Sequence, residues 1–309
     1  MPIEKTAHKT ECFRRDLFAF PNARSAFKAL LKSINFKKDE FVLLPAYIGW
    51  SPREGSGVFD PIKELNLSYG FYAMDTELNI DMASIKHELQ SGNVKLVVLI
   101  HYFGYVDPNY QEVISLAKDN GAMILEDEAH ALYTDFIGGR SGRLCDAAIF
   151  SLHKLLPFPN GGLLCLNDRH IDFGDIQSKS LLDYPFMKYD LYGIAKKRIE
   201  NALMVLHLLE KYCDEIVPLR SQLNKGIVPQ TIPVMVNRAS RDLVYQKMNE
   251  SGFGVVSLYH TLIDQIDRDR FPNAYNLSKR ILNLPIHQDI EQNEVEKMIA
   301  KLIEVIRKC

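Results

Sequence analysis

The chain is predicted to fold as an α/β protein, with a large, mostly parallel sheet domain over residues 1–214 and a small α+β domain over residues 215–309. Three observations point to this. Apolar runs end in Pro or Gly, as in Glu40–Pro45 and Val94–Phe103 before Gly104. Stretches with helical apolar spacing lie between such runs, and the composition shifts near Asn224-Lys225-Gly226. Runs that are apolar on both faces suit strands covered by helices on both sides.

Taken in order, Asn22–Ser33 places Ala26, Phe27, Leu30 and Leu31 at helical spacing after Phe20-Pro21, so a helix starts behind a turn and its free amides can hold an anion. Glu40–Pro45 and Val94–Phe103 read as buried parallel strands. Between residues 104 and 168 come a helix, Pro108–Asn120, and strands at Ala122–Glu126, Ala147–Leu152 and Gly162–Asn167. A long amphipathic helix, Leu191–Glu215, carries Ile194, Ile199, Leu203, Leu206 and Leu209. Beyond the composition shift, Thr231–Val236 reads as a strand and Glu291–Lys308 as a terminal helix.

Composition narrows the function. A hydrophobic share of 47% with 25% charged residues fits an ordinary soluble globular protein with a sizeable core. A net charge of -2 supplies no basic field for nucleic acid or an anionic membrane. Cys12, Cys145, Cys165, Cys213 and Cys309 are scattered, without a C-x-x-C pair or zinc spacing, so reduced thiols and no metal site are expected. Met1–Lys5 has no apolar signal core, and no stretch approaches the roughly 18 apolar residues of a span, so a cytoplasmic protein is expected. No G-x-G-x-x-G or P-loop pattern opens a helix.

The chemistry concentrates in two segments. Ala147–Lys154 reads as a buried strand ending in an amine and is followed by Gly161-Gly162; upstream, Ile124–His130 ends a strand in carboxylates. A lysine, a hydroxyl at Ser151 and a carboxylate can converge there on one pyridoxal-phosphate group. Strand alternation sends Asp127 and Glu126 to opposite faces, so only one of them serves.

Together with Leu44-Pro45-Ala46-Tyr47, His101-Tyr102-Phe103-Gly104, Glu126-Asp127-Glu128-Ala129-His130 and Leu282–His287, these stations resemble the DegT/StrS family of sugar aminotransferases, which have the fold type I architecture of pyridoxal-phosphate enzymes. The resemblance implies that Lys154 condenses with the cofactor aldehyde and later moves the substrate proton. It implies that Asp127 pairs with the pyridine nitrogen, that His130 approaches the phenolic oxygen and that Ser151 binds the phosphate. Where the family carries Ser-Gly-Thr, this chain has Asn22-Ala23-Arg24-Ser25, and Arg24, Ser25 and the helix-start amides become the phosphate candidates. An aromatic ring is expected over the cofactor, supplied by Trp50 or Tyr47, with Trp50 preferred. His260 resembles a substrate-side loop residue, and His153 is structural or a substrate contact.

Two further departures concern substrate and assembly. Pro159-Asn160-Gly161-Gly162 replaces Gly-Glu-Gly-Gly, and no Asn-Tyr-Arg stretch is recognisable in Lys179–Gly193. The implied activity is transfer of an amino group, from an amino-acid donor such as glutamate, to a keto carbon of a nucleotide-activated sugar for polysaccharide or deoxyaminosugar biosynthesis, by a homodimer. Two alternatives stand beside it: a sugar dehydratase, in which histidine replaces the lysine, and a non-catalytic regulator or scaffold. The position of Lys154 relative to Gly161-Gly162 argues against the first, and joint retention of Asp127, Ser151 and Lys154 argues against the second.

Overall fold

The computed structural model describes residues 15–90, 92–167 and 176–308; Met1–Lys5, Cys12 and Cys309 lie outside them. In chain order the elements are β1 (Asp16–Phe20), α1 (Ala23–Ser33), β2 (Phe41–Pro45), α2 (Phe59–Glu64), β3 (Ser68–Tyr72), α3 (Met82–Gln90), β4 (Val94–Ile100) and α4 (Tyr110–Asp119). There follow β5 (Met123–Asp127), α5 (Leu132–Phe136), β6 (Ala147–Ser151), β7 (Gly162–Leu166), α6 (Leu191–Leu209), β8 (Ile216–Pro218) and β9 (Thr231–Val236). The last are α7 (Arg241–Glu250), α8 (Pro272–Arg280), β10 (Ile281–Pro285) and α9 (Gln292–Lys308).

Strands β1 to β7 form one sheet in the order β1-β7-β6-β5-β4-β2-β3. β3, β2, β4, β5 and β6 run parallel, while β7 opposes both β6 and β1. Every residue of β6 and β7 is buried, as continuous apolar runs covered on both faces require. Parallel neighbours need crossovers, and α4 supplies the one from β4 to β5.

The β4 run stops at Ile100, short of the expected Phe103. Tyr102–Gly104 forms a 3-10 turn in which Phe103 has φ 58, and no strand passes through such a residue. The turn is held in place: the Phe103 amide donates to His130 Nδ1 at 3.2 Å, and its carbonyl accepts the Gln230 amide at 2.7 Å. β1 had no sequence signal of its own; it is fixed by antiparallel pairing of Asp16–Phe20 with Gly162–Leu166.

A second, antiparallel sheet has the order β10-β9-β8. Its core joins Ile232, Val234, Leu282 and Leu284 to the apolar stripe Val295, Met298, Ile299, Leu302 and Ile306 of α9. The long helix α6 serves both cores. Leu191 and Ala195 pack into the first, and Ala202, Val205, Leu206 and Leu209 into the second. The chain then returns, since Ile263, Phe271, Ala274 and Leu277 pack back into the first core.

Candidate functional site

The carboxyl ends of β4, β5 and β6 open into a cleft of about 540 Å³, where ligands of open α/β sheets bind. Cross-strand register aligns Ile100 with Asp127 and Asp127 with Ile149, so the three share one face, and all of them line the cleft. By alternation Glu126 and Glu128 fall on the other face. Glu126 there receives the Tyr110 hydroxyl at 2.8 Å, the Gly142 amide at 2.6 Å and His101 Nε2 at 2.7 Å. Burial would raise its carboxyl, but the bonds from His101 and Gly142 outweigh burial and hold it low.

Glu128 is fully buried, and among the described residues neither carboxylate oxygen has a hydrogen-bond partner. Burial and the neighbouring Glu126 charge push its pKa well up, so it holds the proton that its neighbour gives up. His101, Glu126 and Glu128 bring potential ligand atoms within 4.8 Å of one another. Both oxygens of Glu126 are already engaged, which makes the group a hydrogen-bonded cluster behind the sheet.

Asp127 is 7% exposed. One of its oxygens accepts the Ala129 amide at 2.9 Å. Burial raises its pKa, against the Lys154 charge and the Ala129 amide, which lower it. A buried carboxylate facing a cleft, with the Ala129 amide on one oxygen, is suited to a cationic partner.

Lys154 ends the 3-10 turn Leu152–Lys154 that follows β6. Its side chain is exposed to the cleft, while the protein around its amine lowers its pKa, opposed by the Asp127 and Glu54 charges. Its Nζ lies 3.0 Å from His130 Nε2. Because the Phe103 amide donates to Nδ1, the neutral His130 ring carries its hydrogen on Nε2, and burial with the Lys154 charge keeps the ring neutral.

Backbone bonds tie the lysine turn to the start of α1. The Leu152 amide donates to the Gly161 carbonyl at 2.9 Å, and the Gly161 amide donates to the Pro21 carbonyl at 2.7 Å. Gly162 approaches α1 so closely that a Cβ would lie 2.2 Å from the Asn22 carbonyl carbon. Asn22 caps α1 by accepting the Ser25 amide at 2.8 Å, while helix geometry leaves the Ala23 and Arg24 amides without an intrahelical acceptor.

Of the residues expected at the site, Asp127, His130, Ser151, Lys154, Arg24 and Trp50 line the cleft. Ser25 does not. At 3.6 residues per turn it lies more than half a turn round the helix from Ala23, which does line the cleft. The Arg24 guanidinium already pairs with Asp60 at 3.5 Å and with the Glu54 carbonyl. The Ser151 hydroxyl is 3.3 Å from His153 Nδ1.

Trp50 stands at the rim, 43% exposed, and Tyr47 is fully buried outside the cleft lining. A cleft-lining ring that the sequence did not single out, Tyr259, stacks against His130 with centroids 6.5 Å apart. Its neighbour His260 also lines the cleft, as do His153, Pro159 and Asn160; none of the described lining residues comes from 179–193.

The model of the DegT/DnrJ/EryC1/StrS aminotransferase family matches residues 14–173 and 190–303. The spore coat polysaccharide biosynthesis protein SpsC of Bacillus subtilis is 23% identical over 281 residues, covering 75% of this chain and 72% of that protein. The UDP-4-amino-4,6-dideoxy-N-acetyl-beta-L-altrosamine transaminase of Campylobacter jejuni is also 23% identical, over 278 residues, covering 77% of this chain and 73% of that one. Among solved structures, a putative sugar aminotransferase of Streptococcus pneumoniae, Spr1654 in its PMP form, superposes with a TM-score of 0.78 at 17% identity, covering 94% of this chain and 86% of the other.

Proposed function

The chain belongs to the DegT/DnrJ/EryC1/StrS aminotransferase family, and from that premise we propose that it transfers an amino group from an amino acid, glutamate in the first instance, to a keto carbon of a nucleotide-activated sugar, with pyridoxal phosphate held in the cleft. The observation that carries this reading is the convergence of Asp127, His130, Ser151 and Lys154 on one cleft at neighbouring strand ends. The names of the Campylobacter transaminase and the Bacillus polysaccharide protein support the choice of a sugar substrate.

The donor set fits the cofactor. Pyridoxal phosphate supplies, when bound, an aldehyde that amines attack and a ring that accepts electrons. The Asp127 carboxylate holds a proton on the ring nitrogen. The Nε2–H of His130 is the donor for the phenolic oxygen. Ser151, the Ala23 and Arg24 amides and the Arg24 guanidinium hold the phosphate, with the helix dipole adding to the attraction. Lys154 would hold the group at its aldehyde carbon, and its amine is the base placed to take a proton from the donor carbon and to return one to the acceptor carbon.

The dehydratase alternative would need His153 to stand where Lys154 does. Lys154, rather than His153, reaches the His130 ring, which favours transamination. Among the described residues, no helix is long and apolar enough to cross a membrane, and we place the protein in the cytoplasm. We further assign a homodimer, supported by exposed apolar side chains concentrated in one stretch: Leu182, Met187, Tyr192 and Leu203 are each more than half exposed.

The test is spectroscopic. Protein loaded with pyridoxal phosphate is expected to be yellow and to bleach on adding glutamate, with the colour returning on adding a keto sugar nucleotide. Protein that takes up no cofactor, or whose colour is indifferent to glutamate, would refute the proposal.

A further inference from the structure

Gly49 is glycine for a reason that its own backbone does not supply. Its φ lies outside the left-handed region, so the chain there accepts any side chain; a ring from a distant residue forbids one. A Cβ on Gly49 would lie 2.0 Å from Tyr259 Cδ1 and 2.3 Å from Cγ. The backbone of Tyr259 is held by Tyr47, whose hydroxyl accepts the Tyr259 amide at 2.8 Å and lies 3.3 Å from the Tyr259 carbonyl oxygen. The two rings are 5.9 Å apart at 50°, and Tyr47 itself is fully buried, so the support is rigid.

Seated in this way, the Tyr259 ring faces the interior of the cleft. It lies 6.5 Å from the His130 ring at an interplanar angle of 30°, and it lines the cleft together with Asp127. Ala129, the small residue between Asp127 and His130, lines the same space. The half-buried Tyr259 therefore stands beside the imidazole and shares the cleft with the carboxylate assigned to the cofactor ring, whereas Trp50 is 43% exposed.

We propose that Tyr259 is the aromatic wall against which the ring of bound pyridoxal phosphate is held, and that Gly49 is bare so that this wall can stand there; the inference rests on the cofactor reading above. A flat cationic heterocycle gains from an aromatic face beside it through area burial, ring stacking and the attraction of the π-cloud for positive charge. The function that sequence reasoning gave to a residue of the segment Pro45–Trp50 thus comes from a loop far along the chain, standing over that same segment at Gly49.

Titration of unliganded protein with pyridoxal phosphate, read by absorbance and by the shift in melting temperature, tests this without any turnover. Tyr259→Ala is expected to weaken binding about tenfold or more, the scale of a lost ring stack with its buried area. Gly49→Phe alone is expected to weaken it too, because two rings then claim one space. Gly49→Phe combined with Tyr259→Ala is expected to recover most of the loss by supplying a ring from the other side. If Tyr259→Ala melts out, Tyr259→Leu keeps apolar bulk without the ring and is expected to show the same deficit. Wild-type protein that binds no pyridoxal phosphate would overturn the cofactor reading and this inference with it. Wild-type binding together with equal or tighter binding by the ringless variants would overturn the inference alone.

Discussion

The amine of Lys154 lies 3.0 Å from Nε2 of His130, on a ring whose other nitrogen accepts the Phe103 amide. The Phe103 turn therefore decides which nitrogen of the imidazole carries the hydrogen, and that nitrogen is the one beside the Lys154 amine. Lys154→Ala is expected to abolish the borohydride-fixed adduct with pyridoxal phosphate and to cut transamination by at least about 10³-fold, as loss of an essential nucleophile does. Mass spectrometry of the reduced protein checks the first part, and an adduct retained by the variant would place the anchor elsewhere.

Crowding lowers the pKa of Lys154 from 10.5, opposed by Asp127 and Glu54. The attacking form is the free amine, so the rate of adduct formation should rise with pH and level off at a midpoint below that of an ordinary lysine. Stopped-flow absorbance across pH 6–11 reads it. A midpoint at or above 10.5 would contradict the crowding described for the amine.

Asp127→Asn keeps the size of the side chain and removes its charge. Without a fixed anion the ring nitrogen loses its proton and the ring its electron demand, so the turnover number should fall by about 10²–10³. An unchanged melting temperature of the unliganded variant, alongside the lost turnover, would separate this effect from misfolding.

Glu128 offers a prediction about stability. Its folded pKa lies above the unfolded one, so the folded state binds the extra proton, and stability falls as pH rises from the unfolded value near 4.5 toward the folded value. Glu128→Met fills a similar volume without unsatisfied oxygens and is expected to stabilise by about 1–3 kcal/mol. The gain should be larger at pH 8 than at pH 5, measured by urea denaturation. An equal gain at both would mean that Glu128 stays ionised.

Asn22→Ala removes the α1 cap and should cost about 1 kcal/mol of stability. Because the same turn presents the Ala23 and Arg24 amides to the cleft, phosphate-bearing ligands should bind more weakly as well. Calorimetry with pyridoxal phosphate and with phosphate-free pyridoxal checks this, since only the former should lose affinity.

How much of this was visible in the sequence depends on how local each cause is. Asp127 and Glu126 could be assigned to opposite faces because a strand alternates with period two, and the register with Ile100 and Ile149 follows that alternation. The start of α1 was legible from Asn22 and the stripe Ala26, Phe27, Leu30 and Leu31, all within a few turns. Phe103 misled because a β-branched run gives no sign of where an amide is claimed by an imidazole 27 positions away. Ser25 is off the cleft lining because the rotation per residue of the helix carries it round from Ala23, which a hydroxyl beside a helix start does not reveal in sequence. Tyr259 had no local signal. Leu258-Tyr259-His260 has no periodicity, and Gly49, its counterpart, sits outside any turn signature.

The Tyr47 hydroxyl meets the Tyr259 backbone across 212 positions of sequence. A chain emerging from the ribosome therefore displays Asp127, Ser151 and Lys154 well before this last wall exists, with the reactive amine in a half-built recess. The Tyr259 side of the recess is in place only when the stretch beyond residue 258 has been made and has looped back, a closure over a long sequence separation whose entropy cost is met late.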